Sequence, residues 1–291
     1  MRVNDITLYV EQSGAGRPLL LLHGFTGSAA TWTPFIDALA PGLRILAPDL
    51  IGHGRSESPS DAQRYSIDRC VADLLAILDA LQIERADVLG YSMGGRVALH
   101  LACAARERVG RLVLESSSPG IADAAERVAR VAADEALAES IERDGLAAFV
   151  ERWERLPLFA SQASLPQEQR ARLRAQRLGN NPLGLANSLR GMGAGRQPSL
   201  WDQLPELDVA TLLIAGELDA KYRALAGQML ALLPNARATI VPGAGHTVHL
   251  EQSRLFIENV LEFLSSSSSG GGSGTAPPPP EPPPDLPNLM I

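Results

Sequence analysis

The sequence has little cysteine, no long apolar run and no excess of positive charge. Its two cysteines, Cys70 and Cys103, are too few for a disulfide framework, and both lie in helical patterns typical of small buried hydrophobic residues. The first 14 residues alternate like a β-strand and contain no apolar signal-peptide segment. No apolar run reaches the length of about 18 residues that spans a bilayer. The net charge of −7 disfavours a nucleic-acid surface. We therefore expect a cytoplasmic protein with no membrane insertion and no nucleic-acid partner.

Short apolar runs that alternate with helical patterns predict the fold class. The runs that we interpret as strands are RPLLLLHG, LRILAPDL, ADVLGYS, RLVLESSS, ATLLIAGE and ATIVPGAG. Helical patterns such as SIDRCVADLLAILDAL and GGRVALHLACAA lie between them. This alternation predicts an α/β protein with a mostly parallel central sheet, buried on both faces and flanked by helices. Ligands of such sheets bind at the carboxyl ends of the strands.

Two segments depart from the alternation. Residues 119–200 are helical and rich in arginine, which predicts an all-helical cap inserted between core segments 1–118 and 201–264. From residue 265 to 291 the composition changes to serine and glycine and then to proline, so we expect a disordered tail. This tail is interpreted either as a dispensable linker with a terminal peptide, natural or artificially added, or as a proline-rich arm that docks on a partner.

The motif GYSMG, residues 90–94, indicates a catalytic serine. It matches G-x-S-x-G between a predicted strand and a predicted helix. Gly90 and Gly94 permit the tight strand-to-helix turn that exposes the hydroxyl of Ser92. The helix that follows Ser92 presents backbone N–H groups and a dipole that favour a developing anion.

A second loop is expected to complete an oxyanion site. LLHGFTGS places Phe25 after a buried strand, and its backbone N–H is expected to face the same cleft as that of Met93. Such a donor contributes about 3–4 kcal/mol when charge develops on a substrate oxygen. His23 is interpreted as a structural residue that holds this loop.

A serine of this kind needs a base and a carboxylate that orients the base. The order Ser, Asp or Glu, then His is typical of this strand-turn-helix arrangement. We select Asp219, with Glu217 in reserve, because both follow the strand-like run in LLIAGELDAKY. His246 follows Gly245 at the end of the next run, whereas His249 lies in the following helix and is interpreted as a packing residue. The remaining histidines are interpreted as structural: His53 and His100.

The motifs together resemble a known superfamily. HGFTGS, PDLIGHGRS, GYSMGG and AGH occur in the order found in α/β-hydrolases, and the resemblance covers residues 1–264. LGYSMGGRVAL, LESSSPGI, ERVAR, WERLPLF, NSLRGMGAG and GELDAKY resemble the 2-succinyl-6-hydroxy-2,4-cyclohexadiene-1-carboxylate (SHCHC) synthases of menaquinone biosynthesis. This resemblance implies a lyase that eliminates pyruvate, with the serine as general base and with no metal or organic cofactor.

The resemblance also implies how the substrate is bound. The substrate carries several carboxylates, and arginine meets a carboxylate with two parallel hydrogen bonds. Arg96, one helical turn after Ser92, is therefore expected to anchor it. Similarity to the family motifs adds two cap arginines and a lysine: Arg130, Arg177 and Lys221. It also adds three aromatic pocket residues: Tyr91, Trp153 and Phe159. Further cap arginines are candidates whose alternative is a solvated helix face: Arg127, Arg170, Arg172 and Arg174.

Two alternatives remain open at this point. The protein is either an ordinary carboxylesterase or carbon–carbon hydrolase with Ser92 as nucleophile, or a binding module on the same fold without turnover. The first gives no reason for Arg96 and the cap arginines, and the second has little need of a complete set of Ser92, His246 and Asp219.

Overall fold

The structure, a computed structural model, describes residues 1–266. Its strands are β1 Arg2–Val3, β2 Ile6–Thr7, β3 Val10–Gly14, β4 Arg17–Leu22, β5 Leu43–Pro48, β6 Ala86–Tyr91, β7 Val109–Glu115, β8 Thr211–Gly216 and β9 Ala236–Val241. Its α-helices are α1 Ile36–Leu39, α2 Ile67–Ala80, α3 Met93–Ala104, α4 Ala124–Glu154, α5 Gln167–Leu178, α6 Pro182–Met192, α7 Ala220–Leu232, α8 Val248–Glu251 and α9 Ser253–Ser265.

Seven strands form one mostly parallel sheet. The order across the sheet is β3-β5-β4-β6-β7-β8-β9, and β3 is antiparallel to β5 while the other pairs are parallel. Leu19 and Leu21 of β4 pack into one hydrophobic cluster, and Leu20 and Leu22 pack into another. Because successive side chains of a strand point to opposite faces, the sheet is buried on both faces. The predicted fold class is confirmed.

The helical insertion lies between β7 and β8. Helices α4, α5 and α6 form it, together with a 3-10 helix over Pro157–Ser164, and it has its own apolar cluster built around Phe149, Trp153 and Leu185. Helix α4 contains a break at Gly145, whose φ of 81° lies outside the helical range. We call residues 119–200 the cap; Phe25, in the core loop after the carboxyl end of β4, packs against its apolar cluster.

Both ends of the described chain differ in detail from the prediction. The first 14 residues are not one strand, because Asn4 takes a φ of 51° and turns β1 back onto β2 as a separate two-stranded sheet. Strand β9 is not buried on both faces: it lies at the edge of the main sheet, and within it only Val241 is fully buried. Helix α9 ends at Ser265, the first residue of the predicted tail, and residues 267–291 of that tail lie outside the described residues. Within residues 1–266, no helix combines the length and apolarity of a membrane span.

Candidate active site

Ser92 lies in a strained turn between β6 and α3. Its backbone has φ 51° and ψ −110°, a conformation that non-glycine residues rarely adopt, and its N–H donates to the Glu115 carbonyl oxygen at 2.9 Å. A Cβ added to Gly90 would lie 2.3 Å from the Gly94 carbonyl oxygen. A Cβ added to Gly94 would lie 2.3 Å from the Leu22 carbonyl oxygen. Both glycines are therefore required by the close approach of backbone around the serine.

Ser92, His246 and Asp219 form one hydrogen-bonded row, which we call the triad. His246 Nε2 lies 3.1 Å from Ser92 Oγ, and His246 Nδ1 lies 2.8 Å from Asp219 Oδ2. His246 and Asp219 are 1% and 7% exposed, so water does not compete for these contacts. The other carboxylate oxygen of Asp219 caps α7 by accepting from the Tyr222 N–H at 3.1 Å. Because this hydrogen bond at the start of α7 fixes the carboxylate, the imidazole is held with Nε2 toward the serine.

The reserve carboxylate Glu217 and the packing residue His249 both have partners outside the triad. Glu217 accepts from the Gly243 N–H at 2.9 Å in an exposed turn, away from the triad. His249 is 1% exposed, and its Nδ1 lies 2.8 Å from a carboxylate oxygen of the fully buried Glu115. This pair joins β7 to α8, which agrees with the packing role predicted for His249.

The loop after β4 lies directly against Ser92. A Cβ added to Gly24 would lie 2.6 Å from the Tyr91 ring and 3.5 Å from Ser92 Cβ. His23 holds this loop, because its Nε2 accepts from the Leu50 N–H at 3.0 Å and its Nδ1 lies 2.8 Å from the Gly24 carbonyl oxygen. Burial lowers the pKa of His23 to about 4, so the ring is neutral and keeps one acceptor nitrogen. The predicted structural role of His23 is thereby confirmed.

Ser92 lines a cavity of about 700 Å³, which we call the serine cavity. Phe25 and Met93, the residues predicted to supply oxyanion N–H groups, line it too. Three of its lining residues are cations, in a chain whose net charge is −7: Arg96, Arg130 and Lys221. Two carboxylates, Asp123 and Glu126, also line the cavity.

The arginines of the serine cavity are fixed by hydrogen bonds. Arg96 Nη1 donates to the Met192 carbonyl oxygen at 3.0 Å and to Gln197 Oε1. Removal from solvent, followed by the nearby charge of Arg130, lowers the pKa of Arg96 to about 10. Arg130 is 9% exposed and pairs with Asp134 at 2.8 Å. Two guanidinium groups that repel each other inside one cavity favour a bound anion.

Lys221 is the one lysine in the 291-residue sequence. It is exposed at the start of α7, two residues after Asp219, and lines the serine cavity. Partial loss of solvent, followed by the charge of Arg130, lowers the pKa of its ammonium group, and Asp219 opposes this effect. The only lysine side chain of the sequence therefore lies in the same cavity as Ser92.

Three of the predicted pocket residues line a different cavity. Tyr91, Phe159 and Arg177 line a second cavity of about 450 Å³, whereas Trp153 lines both cavities and with Phe25 forms the wall between them. These three residues do not line the serine cavity, contrary to the expectation from family resemblance. The physical reason lies at the end of α5, where Arg177 donates to Glu154 Oε1 at 3.1 Å and to Gln162 Oε1 at 3.2 Å on the far side of that wall.

The other cap arginines proposed as candidates do not line the serine cavity. Arg170 and Arg172 are exposed, and Arg172 pairs with Glu168 one turn away on α5. Arg174 pairs with Glu154, and Arg127 is partly buried outside the serine cavity. The solvated-face interpretation fits Arg170 and Arg172 best.

Comparisons with known proteins agree on the family. The family model described as alpha/beta hydrolase fold matches residues 17–253. A Bacillus subtilis (strain 168) protein with the provisional name 2-succinyl-6-hydroxy-2,4-cyclohexadiene-1-carboxylate synthase is 49% identical over 88% of this chain and 93% of its own length. The synthase of that name from Serratia proteamaculans (strain 568) is 35% identical over 89% of this chain and 97% of its own length. The chain belongs to this synthase family.

A solved structure agrees with this family membership. The structure of MenH from S. aureus superposes with a TM-score of 0.85 at 37% identity, and it covers 88% of this chain and 97% of that one. This chain therefore shares the fold of that MenH over most of its length.

Sequence reasoning missed several residues that support the site. Gln197 holds Arg96 from 101 residues away, and Asp134 holds Arg130. The i,i+4 spacing of Arg130 and Asp134 on one helix was a signal that could have found the second pair. No local pattern marks Gln197, because it meets Arg96 only when the cap packs against α3. Within residues 1–266, no group of three His, Cys, Asp or Glu side chains could hold a metal ion.

Proposed function

We propose that this chain eliminates pyruvate from 2-succinyl-5-enolpyruvyl-6-hydroxy-3-cyclohexene-1-carboxylate to give SHCHC in menaquinone biosynthesis. One observation carries the proposal: Ser92, aligned with His246 and Asp219, lines a cavity that also holds Arg96, Arg130 and Lys221. A triad alone suits many hydrolytic reactions, whereas three cations beside it suit a substrate with several carboxylates. The names of the relatives support the same substrate.

The cations bind and orient the substrate. Its succinyl, ring and enolpyruvyl groups each carry a carboxylate, and the cavity offers one cation for each. Arg96 and Arg130 are held from behind by Met192 and Asp134, so their remaining N–H groups are oriented before the substrate arrives. Preorganised charges of this kind contribute most where water is excluded.

Ser92 acts as a base rather than as a nucleophile in this mechanism. His246, oriented by Asp219, accepts the hydroxyl proton of Ser92, and the serine oxygen removes the ring proton at C2, next to the succinyl carbonyl. The electron pair of the C–H bond forms an enolate, whose oxygen accepts hydrogen bonds from the N–H groups of Phe25 and Met93. General-base assistance contributes about 10²–10⁴-fold to such a step.

The enolate then expels the leaving group. Its electrons form the C2=C3 double bond, the C3=C4 pair moves to C4=C5, and the bond from C5 to the enolpyruvyl oxygen breaks. His246 returns a proton to the departing enolpyruvate, which tautomerises to pyruvate. The C2 proton stays on Ser92 Oγ and restores the hydroxyl, so that neither the chain nor the products gain or lose electrons.

The test is pyruvate release by the full chain, followed with a lactate dehydrogenase couple. We expect the wild type to release one pyruvate per substrate, Ser92→Ala to lose at least about 10³-fold in kcat, and no covalent adduct to be found by mass spectrometry during turnover. Absence of pyruvate, together with a burst of p-nitrophenol from ester substrates, would identify a carboxylesterase or carbon–carbon hydrolase instead. A tight complex without turnover of either substrate would identify a binding module.

Two further parts of the proposal concern the surroundings of the enzyme. We infer a cytoplasmic location, based on the low cysteine content of the sequence. The partner proposed here is the small polycarboxylate itself. Docking through the proline-rich tail of residues 265–291 stays a prediction from sequence, and a pull-down with and without those residues tests it.

A further inference from the structure

The cap reaches the loop that carries the triad histidine. Gln162 Nε2 donates to Thr247 Oγ1 at 2.7 Å, and Thr247 is the residue directly after His246. Tyr91 Oη lies 3.1 Å from the same threonine oxygen. Gln162 and Thr247 are 7% and 3% exposed. A buried hydrogen bond therefore joins the cap to this loop across the core–cap boundary.

Arg177 fixes the direction of this hydrogen bond. Its Nη2 donates to Gln162 Oε1 at 3.2 Å, while its Nη1 donates to Glu154 Oε1 at 3.1 Å. A guanidinium group has only donors, so the amide oxygen of Gln162 faces Arg177 and the amide NH₂ faces Thr247. Glu154, Arg177 and Gln162 of the cap thus form one chain of hydrogen bonds that ends at Thr247.

The core holds the same loop by its backbone. Glu251 accepts from the Gly245 N–H at 2.6 Å and from the Thr247 N–H at 3.1 Å, one on each side of His246. Loss of the cap contact therefore leaves the loop folded and leaves Thr247 Oγ1 beside Tyr91 Oη, so that we expect only a small shift of the loop. Small displacements of this size matter, because proton transfer requires the serine and imidazole atoms within hydrogen-bond distance.

We propose that Gln162 and Thr247 are positioning residues that align His246 with Ser92, and that Arg177 acts through them. This inference rests on the triad of the proposed function but not on the identity of its substrate. In this proposal Arg177, which lines the second cavity, orients Gln162 instead of contacting a substrate carboxylate.

The kinetic test uses Gln162→Leu, Thr247→Val and the double variant in the full chain. Each single variant is expected to lose about 10-fold in kcat, the scale of one hydrogen bond, with KM changed by less than about 2-fold. The double variant is expected to be no slower than the worse single one, because both break the same link. Thr247→Ser keeps the hydroxyl and is expected to restore kcat.

A matched control separates this link from cap seating in general. Gln176 also joins cap to core, since its amide lies 2.8 Å from Thr31 Oγ1, but it does not reach the histidine loop. Gln176→Leu is therefore expected to keep the wild-type kcat. An equal loss in this control would overturn the proposal in favour of general cap stability.

A second readout does not depend on the natural substrate. A fluorophosphonate probe bonds its phosphorus to Ser92 Oγ, fluoride leaves, and the hydroxyl proton passes to His246. Gln162→Leu and Thr247→Val are expected to slow this labelling about 10-fold. Slower labelling in a protein that releases no pyruvate would remove the proposed function while the positioning role stands.

Three outcomes would overturn the positioning role. They are an unchanged labelling rate in both variants, a raised KM with unchanged kcat, and losses in the two single variants that simply multiply in the double. If Gln162→Leu does not fold, Thr247→Val, which is nearly isosteric, tests the same link from its other end.

Discussion

Arg96 and Met192 are joined across the boundary between core and cap. Arg96 Nη1, one turn after Ser92 on α3, donates to the carbonyl oxygen of Met192 at the end of α6 at 3.0 Å. Gln197 accepts from the same nitrogen. The cation beside the serine is therefore held in place by the cap, and the cap must be folded for the carboxylate site to exist.

Arg96→Ala tests this anchor. We expect kcat/KM for pyruvate release to fall about 100-fold, because a charge-assisted hydrogen bond contributes roughly 1.5–3 kcal/mol. Most of the change is expected in KM. Arg170→Ala removes an exposed cap arginine and serves as the matched control. Equal kinetics of the two variants would contradict the assignment of Arg96.

The single lysine offers a chemical test of the serine cavity. An amine-acylating reagent can modify only Lys221 and the α-amino group, so mass spectrometry reports the lysine directly. We expect substrate to protect Lys221 and Lys221→Met to raise KM about 10-fold. Equal acylation rates with and without saturating substrate would argue that no carboxylate binds there.

The pH dependence of substrate binding follows from the same lysine. Loss of solvent lowers the pKa of Lys221 below its ordinary value of 10.5, so its positive charge is lost at a lower pH than that of an ordinary lysine. KM is therefore expected to rise with pH in the alkaline range, before pH 10.5 is reached. Lys221→Met is expected to abolish this rise. The measurement is KM against pH for both proteins. An alkaline limb retained in Lys221→Met would point to another group.

His100 makes stability depend on acid. Burial, with a further contribution from the charge of Arg96, lowers the pKa of His100 from 6.5 to about 4. Below pH 6.5, His100 takes up a proton in the unfolded chain but stays neutral in the folded chain until the pH approaches about 4. The free energy of unfolding is therefore full above pH 6.5 and falls as the pH drops toward about 4. The loss amounts to about 2 kcal/mol between about pH 7 and about pH 5.

Urea unfolding of wild type and His100→Gln at these two pH values measures the effect. The variant is expected to lose less stability on acidification, because glutamine takes up no proton. His23 and His53, whose pKa values are lowered by burial to about 4 and about 3, keep part of the acid dependence in the variant. An unchanged acid loss in His100→Gln would contradict the assignment.

Gly94→Ala is expected to disrupt the turn at the serine. The new Cβ would lie 2.3 Å and 2.5 Å from the carbonyl oxygens of Leu22 and His23, so β4 and α3 must move apart. We expect the free energy of unfolding to fall by about 2–3 kcal/mol and turnover to be lost. Gly179→Ala is the control, because its nearest atom would be 3.4 Å away. Denaturant unfolding of both variants measures the difference, and equal stabilities would contradict the steric account.

The features that sequence alone predicted are local or follow from strand order. The strand-turn-helix around Ser92 is encoded by two glycines and two apolar segments within a few residues. Asp219 and His246 could be selected because each follows a strand-like run, and the carboxyl ends of parallel strands meet at one edge of a sheet. The fold class and the family were therefore accessible without coordinates.

Other features depend on which elements become neighbours, and the sequence could not decide them. The pattern of β9 resembles that of the central strands, yet its place at the sheet edge leaves it partly exposed. The aromatic wall of Phe25 and Trp153 separates Arg177 from the serine cavity, although the family resemblance implied that Arg177 and Arg96 bind the same substrate.

The sequence by itself determined that this chain carries a serine at a strained turn, its acid and base partners, and an arginine one turn away. Only the tertiary structure decided which cations share the cavity of Ser92 and which serve the cap. Gln162 and Thr247 meet across 85 residues, and Arg96 and Gln197 across 101. The physical reason is that a hydrogen-bond partner so distant in sequence is chosen by the packing of the cap on the sheet, which no local pattern of residues encodes.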